Sequence, residues 1–157
     1  MFLAVADVIK RTPFTLADTI VWKKKNAFPN SCSSNKLTRI TEFVFVFCRE
    51  TEMKTFNCNK EVVSIRKTGQ KMYNNVFNFI EAPNNDGSCE LNKATFSSEF
   101  VRKLLEIYAT KESIVYDAFM GTGTTAVACK AYGCKCIGSE ISAKQVEYAK
   151  ERLSKVM

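Results

Sequence analysis

Two acids and two glycines near the C-terminal end carry the most chemical information. Asp117 opens the string DAFMGTGTT, which runs to Thr125, and Glu140 follows it. Ile114, Val115 and Tyr116 read as a short buried strand ahead of that string. Gly121 and Gly123 permit positive φ and let a ligand approach the backbone closely. A helix is expected from Thr124 to Tyr132, with Gly133 as its stop. Ligands of open α/β sheets bind at this carboxyl end of the strands. Asp117, at the strand end, is placed to meet a cationic group. Glu140 ends the next strand, at the spacing where an acid accepts hydrogen bonds from ribose hydroxyls.

The pattern selects among nucleotide ligands. A Gly-Lys-Ser/Thr phosphate loop is excluded, since none follows the glycines. The dinucleotide fingerprint G-x-G-x-x-G is matched in part, with Ala126 at its last glycine, a change it tolerates. Asp117 decides between the remaining readings. Beside the glycine turn it repels a pyrophosphate and attracts a cationic amino-acid tail. A nucleoside with such a tail fits better, with its amino group on Asp117 and its ribose on Glu140.

The elements that must hold this turn are legible on both sides. Residues 97–109 place Phe100, Leu104, Leu105 and Tyr108 at helical spacing, with Ser97 or Ser98 as cap. Residues 134–139 read as a second strand, and residues 142–156 as a last helix with Val146, Ala149 and Leu153 along one face. Alternation of this kind implies parallel strands. The N-terminal half reads differently. A short helix over residues 5–11 is stopped by Pro13. Residues 18–22 form a strand, and residues 26–36, rich in Asn and Ser, a loop. Residues 41–48 form a strong strand, with Phe43, Phe45 and Phe47 expected in the core and Val44 and Val46 on the other face. Trp22 reads as a core residue. Weaker β-like runs follow at 62–65 and 74–80, then a turn-rich linker at 82–88. The expected fold is one α/β domain over residues 1–157: antiparallel edge strands in 1–90 and the ligand-binding part in 91–157.

Composition narrows the function classes. The 157 residues include 23 basic and 16 acidic side chains, a formal charge of +7 that favours polyanionic partners. Lys23, Lys24, Lys25, Lys36 and Arg39 flank the polar loop as candidate phosphate contacts. Seven cysteines are scattered and no histidine is present. Cys134 and Cys136 share one strand face without a second pair, so no metal site is expected. The thiols read as reduced and space-filling, which fits an intracellular setting. No apolar run is long enough to span a bilayer, and the N-terminus makes a poor signal peptide.

The string from Asp117 to Thr125 resembles the cofactor motif D-P-F-x-G-x-G-T-T of the amino-methylating DNA methyltransferases, with Ala118 in place of the proline. The resemblance continues through Gly133, Ile137, Gly138, Glu140, Ile141, Tyr148, Ala149 and Arg152. Upstream it takes in Ala94, Thr95 and Phe96, then Ile20, Val21, Trp22 and Lys24, then Thr41, Glu42 and Phe43. The order of these segments is that of the permuted β-class enzymes. The resemblance implies an incomplete Rossmann-like class I core and S-adenosylmethionine as cofactor. It implies that Asp117, Gly121, Gly123 and Glu140 hold that cofactor and that Phe119 and Phe96 flank it. Thr95, Thr124 and Thr125 belong to the same expected site. DNA is the implied partner, and a bacterial, phage or viral cytoplasm the implied setting. Residues 50–75 stand where the family places its target-recognition insert. The family's catalytic loop, Asp/Asn/Ser-Pro-Pro-aromatic, binds the flipped base. This sequence contains no Pro-Pro pair, so no catalytic residue is assigned here. The expectation is that a second polypeptide supplies the loop, or that the chain is a partial copy or a DNA-binding remnant. Motif order leans to adenine as the target base.

Overall fold

The computed structural model describes residues 2–87, 89–92 and 94–156. Met1 and Ser88, at the ends of two segments read above, lie outside the described residues. The elements run α1 (Phe2–Arg11), β1 (Phe14–Lys24), β2 (Thr41–Arg49), β3 (Val62–Ile65), β4 (Lys71–Tyr73), β5 (Phe79–Ala82), α2 (Ser98–Tyr108), β6 (Ile114–Asp117), α3 (Thr124–Tyr132), β7 (Lys135–Gly138) and α4 (Ala143–Ser154). The fold class is α/β with a mixed sheet, as the sequence predicts. β1 pairs antiparallel with β2 and parallel with β5, giving the order β2-β1-β5. β6 and β7 form a separate parallel pair, and β3 and β4 a small antiparallel hairpin.

Helix α2 links the first sheet to helix α3, which packs on β7. Ser97 caps it, its Oγ accepting from the Phe100 N–H at 3.2 Å. The last carbonyls of a helix have no partner within it and need one elsewhere. Here Asn59 Nδ2 donates to the carbonyls of Glu106 (3.1 Å) and Ala109 (2.6 Å), and the Tyr132 hydroxyl donates to Ala109 (2.8 Å). One side of α2 lies on the first sheet, where the Phe100 ring stacks on Trp22 with centroids 4.3 Å apart. Trp22 is 4% exposed, and its Nε1 donates to the Ala82 carbonyl. Val101, Leu105 and Ala109 continue the core to Ala128 and Cys129 of α3. Burial pushes the Cys129 thiol pKa up, with Cys136 and Cys134 adding to the shift. That fits its space-filling role.

The phenylalanine face of β2 is not the core face. Phe43 is 48% exposed and Phe45 and Phe47 are half-buried, while Val44 and Val46 pack on the core and Cys48 is buried. Register explains the reversal. Val44 stands opposite Ile20, and directly paired residues share a sheet face. The face of Ile20 and Trp22 lies against α2, so the valines go inward and the phenylalanines outward. β1 also runs further than residues 18–22, and β5 begins later than residue 74. The hairpin strand β4 is not legible in the sequence.

Phe100→Ala should lower stability by about 3–5 kcal/mol in urea unfolding, the usual cost of removing a buried aromatic ring. Phe43→Ser, at an outward position, should cost less than about 1 kcal/mol. Equal losses at the two positions would contradict the facing described.

Candidate functional site: a glycine turn held by two carboxylates

The site forms where β6 ends and α3 begins. Gly121 and Gly123 both adopt positive φ, 55° and 81°. At Gly123 this conformation coincides with a close approach by a neighbour. A Cβ there would lie 2.7 Å from the Ala149 Cβ, so α4 rather than a ligand takes the space. Gly138 has a comparable role at the end of β7, where the Met120 side chain covers its Cα and would clash with any Cβ. The turn is thus packed from below by α4 and fixed at its crest by Met120.

Asp117 and Glu140 both accept hydrogen bonds from the turn. Asp117 Oδ1 accepts from the Phe119 N–H at 3.0 Å, and its Oδ2 accepts from the Thr125 hydroxyl at 2.6 Å. Glu140 Oε2 accepts from the Gly121 N–H at 2.9 Å, and its Oε1 from the Ser142 N–H at 2.8 Å. Each carboxylate oxygen has a further lone pair to offer a ligand. The two strands run parallel with Asp117 opposite Gly138, so both acids leave the same end of the sheet. The arrangement concentrates negative charge at a strand terminus. It suits a ligand that carries a cation and hydroxyl donors, and it opposes a phosphate.

The expected residues fall into three groups. Asp117, Gly121, Gly123 and Glu140 come together as described. Thr124 and Thr125 are buried, and their hydroxyls are engaged internally. Their part is to hold the turn. Thr95 and Phe96 meet the turn's other side, lining with Thr122, Thr124, Tyr148 and Arg152 a cavity of about 70 Å³. Phe119 stands apart from that cavity and is 91% exposed. Phe96 also packs edge-on to Phe100, which ties it to α2.

Several contacts of the site are not evident from the sequence alone. Arg152 donates from Nη1 to the Thr122 carbonyl (2.9 Å) and the Thr124 hydroxyl (3.1 Å), and from Nη2 to Asp86 (3.2 Å). Asp86 in turn accepts from the Ser98 N–H at 2.8 Å, at the start of α2. Ile141, directly after Glu140, is fully exposed. An apolar residue in a loop beside a strand-end acid is the available signal. Asn92 and Gln145 bond to each other at 3.3 Å beside Gly121.

The candidate DNA contacts also separate. Lys23 pairs with Glu81 at 3.4 Å, Lys24 with Glu42, and Lys25 with Glu99 at 3.2 Å. The hydrogen bond from Lys25, with Lys103 nearby, holds the Glu99 carboxyl below its ordinary pKa. These three lysines are thus paired with acids of β5, β2 and α2. Lys36 and Arg39 have no acid partner among the described residues, and both line a groove with Phe28, Asn30 and Leu37. Residues 26–40 contain no Asp or Glu. The hairpin β3–β4 adds Arg66, Lys67 and Lys71, all exposed, which no sequence motif assigns.

Gly123→Ala should destabilise the chain by about 2–4 kcal/mol, from left-handed strain plus the clash with Ala149. Ala149→Gly should recover part of that loss in the double variant, read as a coupling energy in urea unfolding. Strict additivity would show that the approach of α4 does not set the need for glycine.

Comparison with known proteins identifies the family and the fold. The N6_N4_Mtase family model, described as DNA methylase, matches residues 2–151. The orphan methyltransferase M.BamHII of Bacillus amyloliquefaciens is 30% identical over 173 residues, covering 92% of this chain and 64% of that protein. The crystal structure of the M1.HpyAVI–SAM complex is similar at 26% identity and a TM-score of 0.64, covering 96% of this chain and 68% of that one. The PvuII cytosine-N4-specific DNA methyltransferase shares the fold at 16% identity and a TM-score of 0.72, over 96% of this chain and 55% of that one. The chain spans about half to two thirds of the length of the curated relatives it matches. No described helix is long and apolar enough to cross a membrane. On the family match over nearly its whole length, the chain belongs to the N6_N4_Mtase family of DNA methylases.

Proposed function

We propose that this chain holds S-adenosylmethionine for methylation of an exocyclic base amine in DNA, adenine being the base favoured by motif order. The observation that carries the reading is the pair of strand-end carboxylates, Asp117 and Glu140, both facing one glycine turn. The donor set fits the group. Asp117 retains acceptor capacity for the ammonium of the amino-acid tail, and Glu140 for the ribose hydroxyls. Phe119 and Ile141 are apolar, exposed and adjacent to the acids, and they suit the faces of an adenine ring. Thr95 and Phe96 bound the opposite side, next to Thr124.

When bound, S-adenosylmethionine supplies an electrophilic methyl group. This chain's residues position it. The backbone of the turn is fixed by α4 through Gly123 and Ala149, and by Arg152 through Thr122 and Thr124. Fixed geometry matters because methyl transfer to a weak nucleophile depends mainly on alignment. Residues 1–157 hold no Pro-Pro pair, so the groups that bind the flipped base are proposed to come from outside them, on a further part of the protein or on a second polypeptide. Lys36, Arg39 and the basic hairpin β3–β4 are the proposed DNA contacts.

Calorimetric titration of S-adenosylmethionine into the purified chain should show saturable binding, weakened at least about tenfold by Asp117→Ala or Glu140→Ala, since charge-assisted bonds are worth about 1.5–3 kcal/mol. A folded, monodisperse chain without binding would sink the donor-site reading and leave a DNA-binding module or an inactive remnant. The double variant Lys36→Ala, Arg39→Ala should weaken DNA binding and lower the salt slope by about one for each phosphate that is no longer neutralised. Lys23→Ala should leave that slope unchanged.

A further inference from the structure

We infer that Phe28 and Leu37 form an apolar wedge that enters a DNA duplex where a base has left the stack. The inference deepens the proposed DNA contacts of Lys36 and Arg39 and rests on that reading, but it does not need bound cofactor. Phe28 is 76% exposed and Leu37 90%. A single exposed apolar residue is ordinary. These two line one groove of about 440 Å³ together with Lys36 and Arg39.

The loop that carries them is braced across its width. The Asn30 N–H donates to the Thr38 hydroxyl at 3.0 Å, and Asn30 Nδ2 donates to the Lys36 carbonyl at 3.4 Å. These bonds bring the segment after Phe28 alongside the segment that holds Leu37. At the foot of the loop the Lys24 N–H donates to the Ile40 carbonyl at 2.7 Å. A side chain on a braced loop loses less freedom on insertion than one on a free chain.

The ligand of such a groove must offer negative charge and apolar surface together. Residues 26–40 contain no acid to oppose the charge. An intact duplex offers phosphates but keeps its base faces stacked. A duplex from which one base has swung out offers phosphates and, in the gap, the apolar faces of the neighbouring bases. The groove's position fits that ligand. β1 and β5 are parallel with Lys24 opposite Ala82, so the loop and the linker leave the same end of the sheet. Asn84 of the linker lines the groove, and its N–H donates to Asn26 Oδ1 at 2.6 Å. Two residues on, Asp86 pairs with Arg152, which bonds to Thr122 of the glycine turn. Two residues span at most about 7 Å, so the groove and the turn's network are neighbours. A base that leaves the stack at the groove is extruded next to the turn, and Leu37 and Phe28 take its vacated place.

The test compares an intact duplex with the same duplex carrying one abasic site, each titrated with the full chain and followed by fluorescence anisotropy. The abasic duplex should bind at least about tenfold more tightly, because its gap spares the cost of unstacking. The double variant Phe28→Ser, Leu37→Ser should bring the two affinities within about twofold of each other, with the salt slope and circular dichroism as in the parent chain. Lys36→Ala with Arg39→Ala should weaken both duplexes alike and keep the preference. Equal binding of the two duplexes by the parent chain, or a preference that survives the double serine variant, overturns the proposal and leaves the DNA contacts standing. Tighter binding to vesicles of equal parts phosphatidylcholine and phosphatidylserine than to the abasic duplex, lost in the serine variant, also overturns it, because the occupant is then a lipid surface. Binding of neither duplex sinks the DNA contacts and the wedge together, and the cofactor titration judges the donor site separately.

Discussion

Helix α2 lies on the first sheet and against α3, which in turn packs on β7, and among the described residues the rest of the structure depends on that packing. The stacked pair Trp22 and Phe100 fixes one side, and Val101, Leu105 and Ala109 carry the core across to α3. In a doubly wound fold a continuous hydrogen-bonded sheet sets the relative position of its halves. Here side-chain packing does so among the described residues. Packing of this kind is sensitive to shape, because interiors are close-packed and tolerate little change in volume. The valine face of β2 follows from the same demand. Val44 and Val46 stand on the face of Ile20, which lies against α2.

The glycine turn inherits its position from α2 through a short polar chain. Ser98, at the start of the helix, donates to Asp86, and Asp86 pairs with Arg152 at 3.2 Å. Arg152 continues to Thr122 and Thr124 on the turn itself. Five polar groups from the linker, α2, the turn and α4 thus form one network. The ion pair lies largely out of water, with side chains 21% and 33% exposed. Leaving either charge without its partner there would be costly. The linker before α2, which the sequence marks only as turn-rich, is therefore part of the site's framework.

What the sequence reveals and what it hides divide along the range of the interactions concerned. Helix α3 is legible at both ends because Gly123 and Gly133 punctuate it, and each takes the left-handed conformation that favours glycine. Ser97 and Ser142 mark the starts of α2 and α4 for the same local reason. The acid pair is legible because strand, turn and strand place it by spacing. The inward face of β2 is not, since both of its faces are apolar and periodicity does not say which is buried. Its facing is set by register with β1. The ion pairs of Lys23 and Lys25 are hidden too, because their partners Glu81 and Glu99 lie far along the chain. The family resemblance identifies Arg152 as a matching position, yet its role requires the fold to bring it to Thr122.

The distribution of charge follows from these pairings. A lysine run such as residues 23–25 reads as an electrostatic surface, but each of the three has a glutamate within reach. Their contribution to a long-range field is largely cancelled at distances beyond the ion pair. The net charge of +7 is then carried elsewhere, by segments whose local sequence has few acids. Residues 26–40 have none, and residues 53–75 have Glu61 against Lys54, Lys60, Arg66, Lys67 and Lys71. These segments are the long loop and the stretch that ends in the β3–β4 hairpin, whose basic side chains at Arg66, Lys67 and Lys71 face solvent. Like charges on protruding elements keep their field, because no counter-charge is packed beside them. The negative turn at Asp117 and Glu140 lies on a different element, at the end of the β6–β7 pair. Surfaces of opposite sign attract ligands of opposite charge, so a cation is drawn to the turn and a polyanion to the loop and the hairpin, without competition between them.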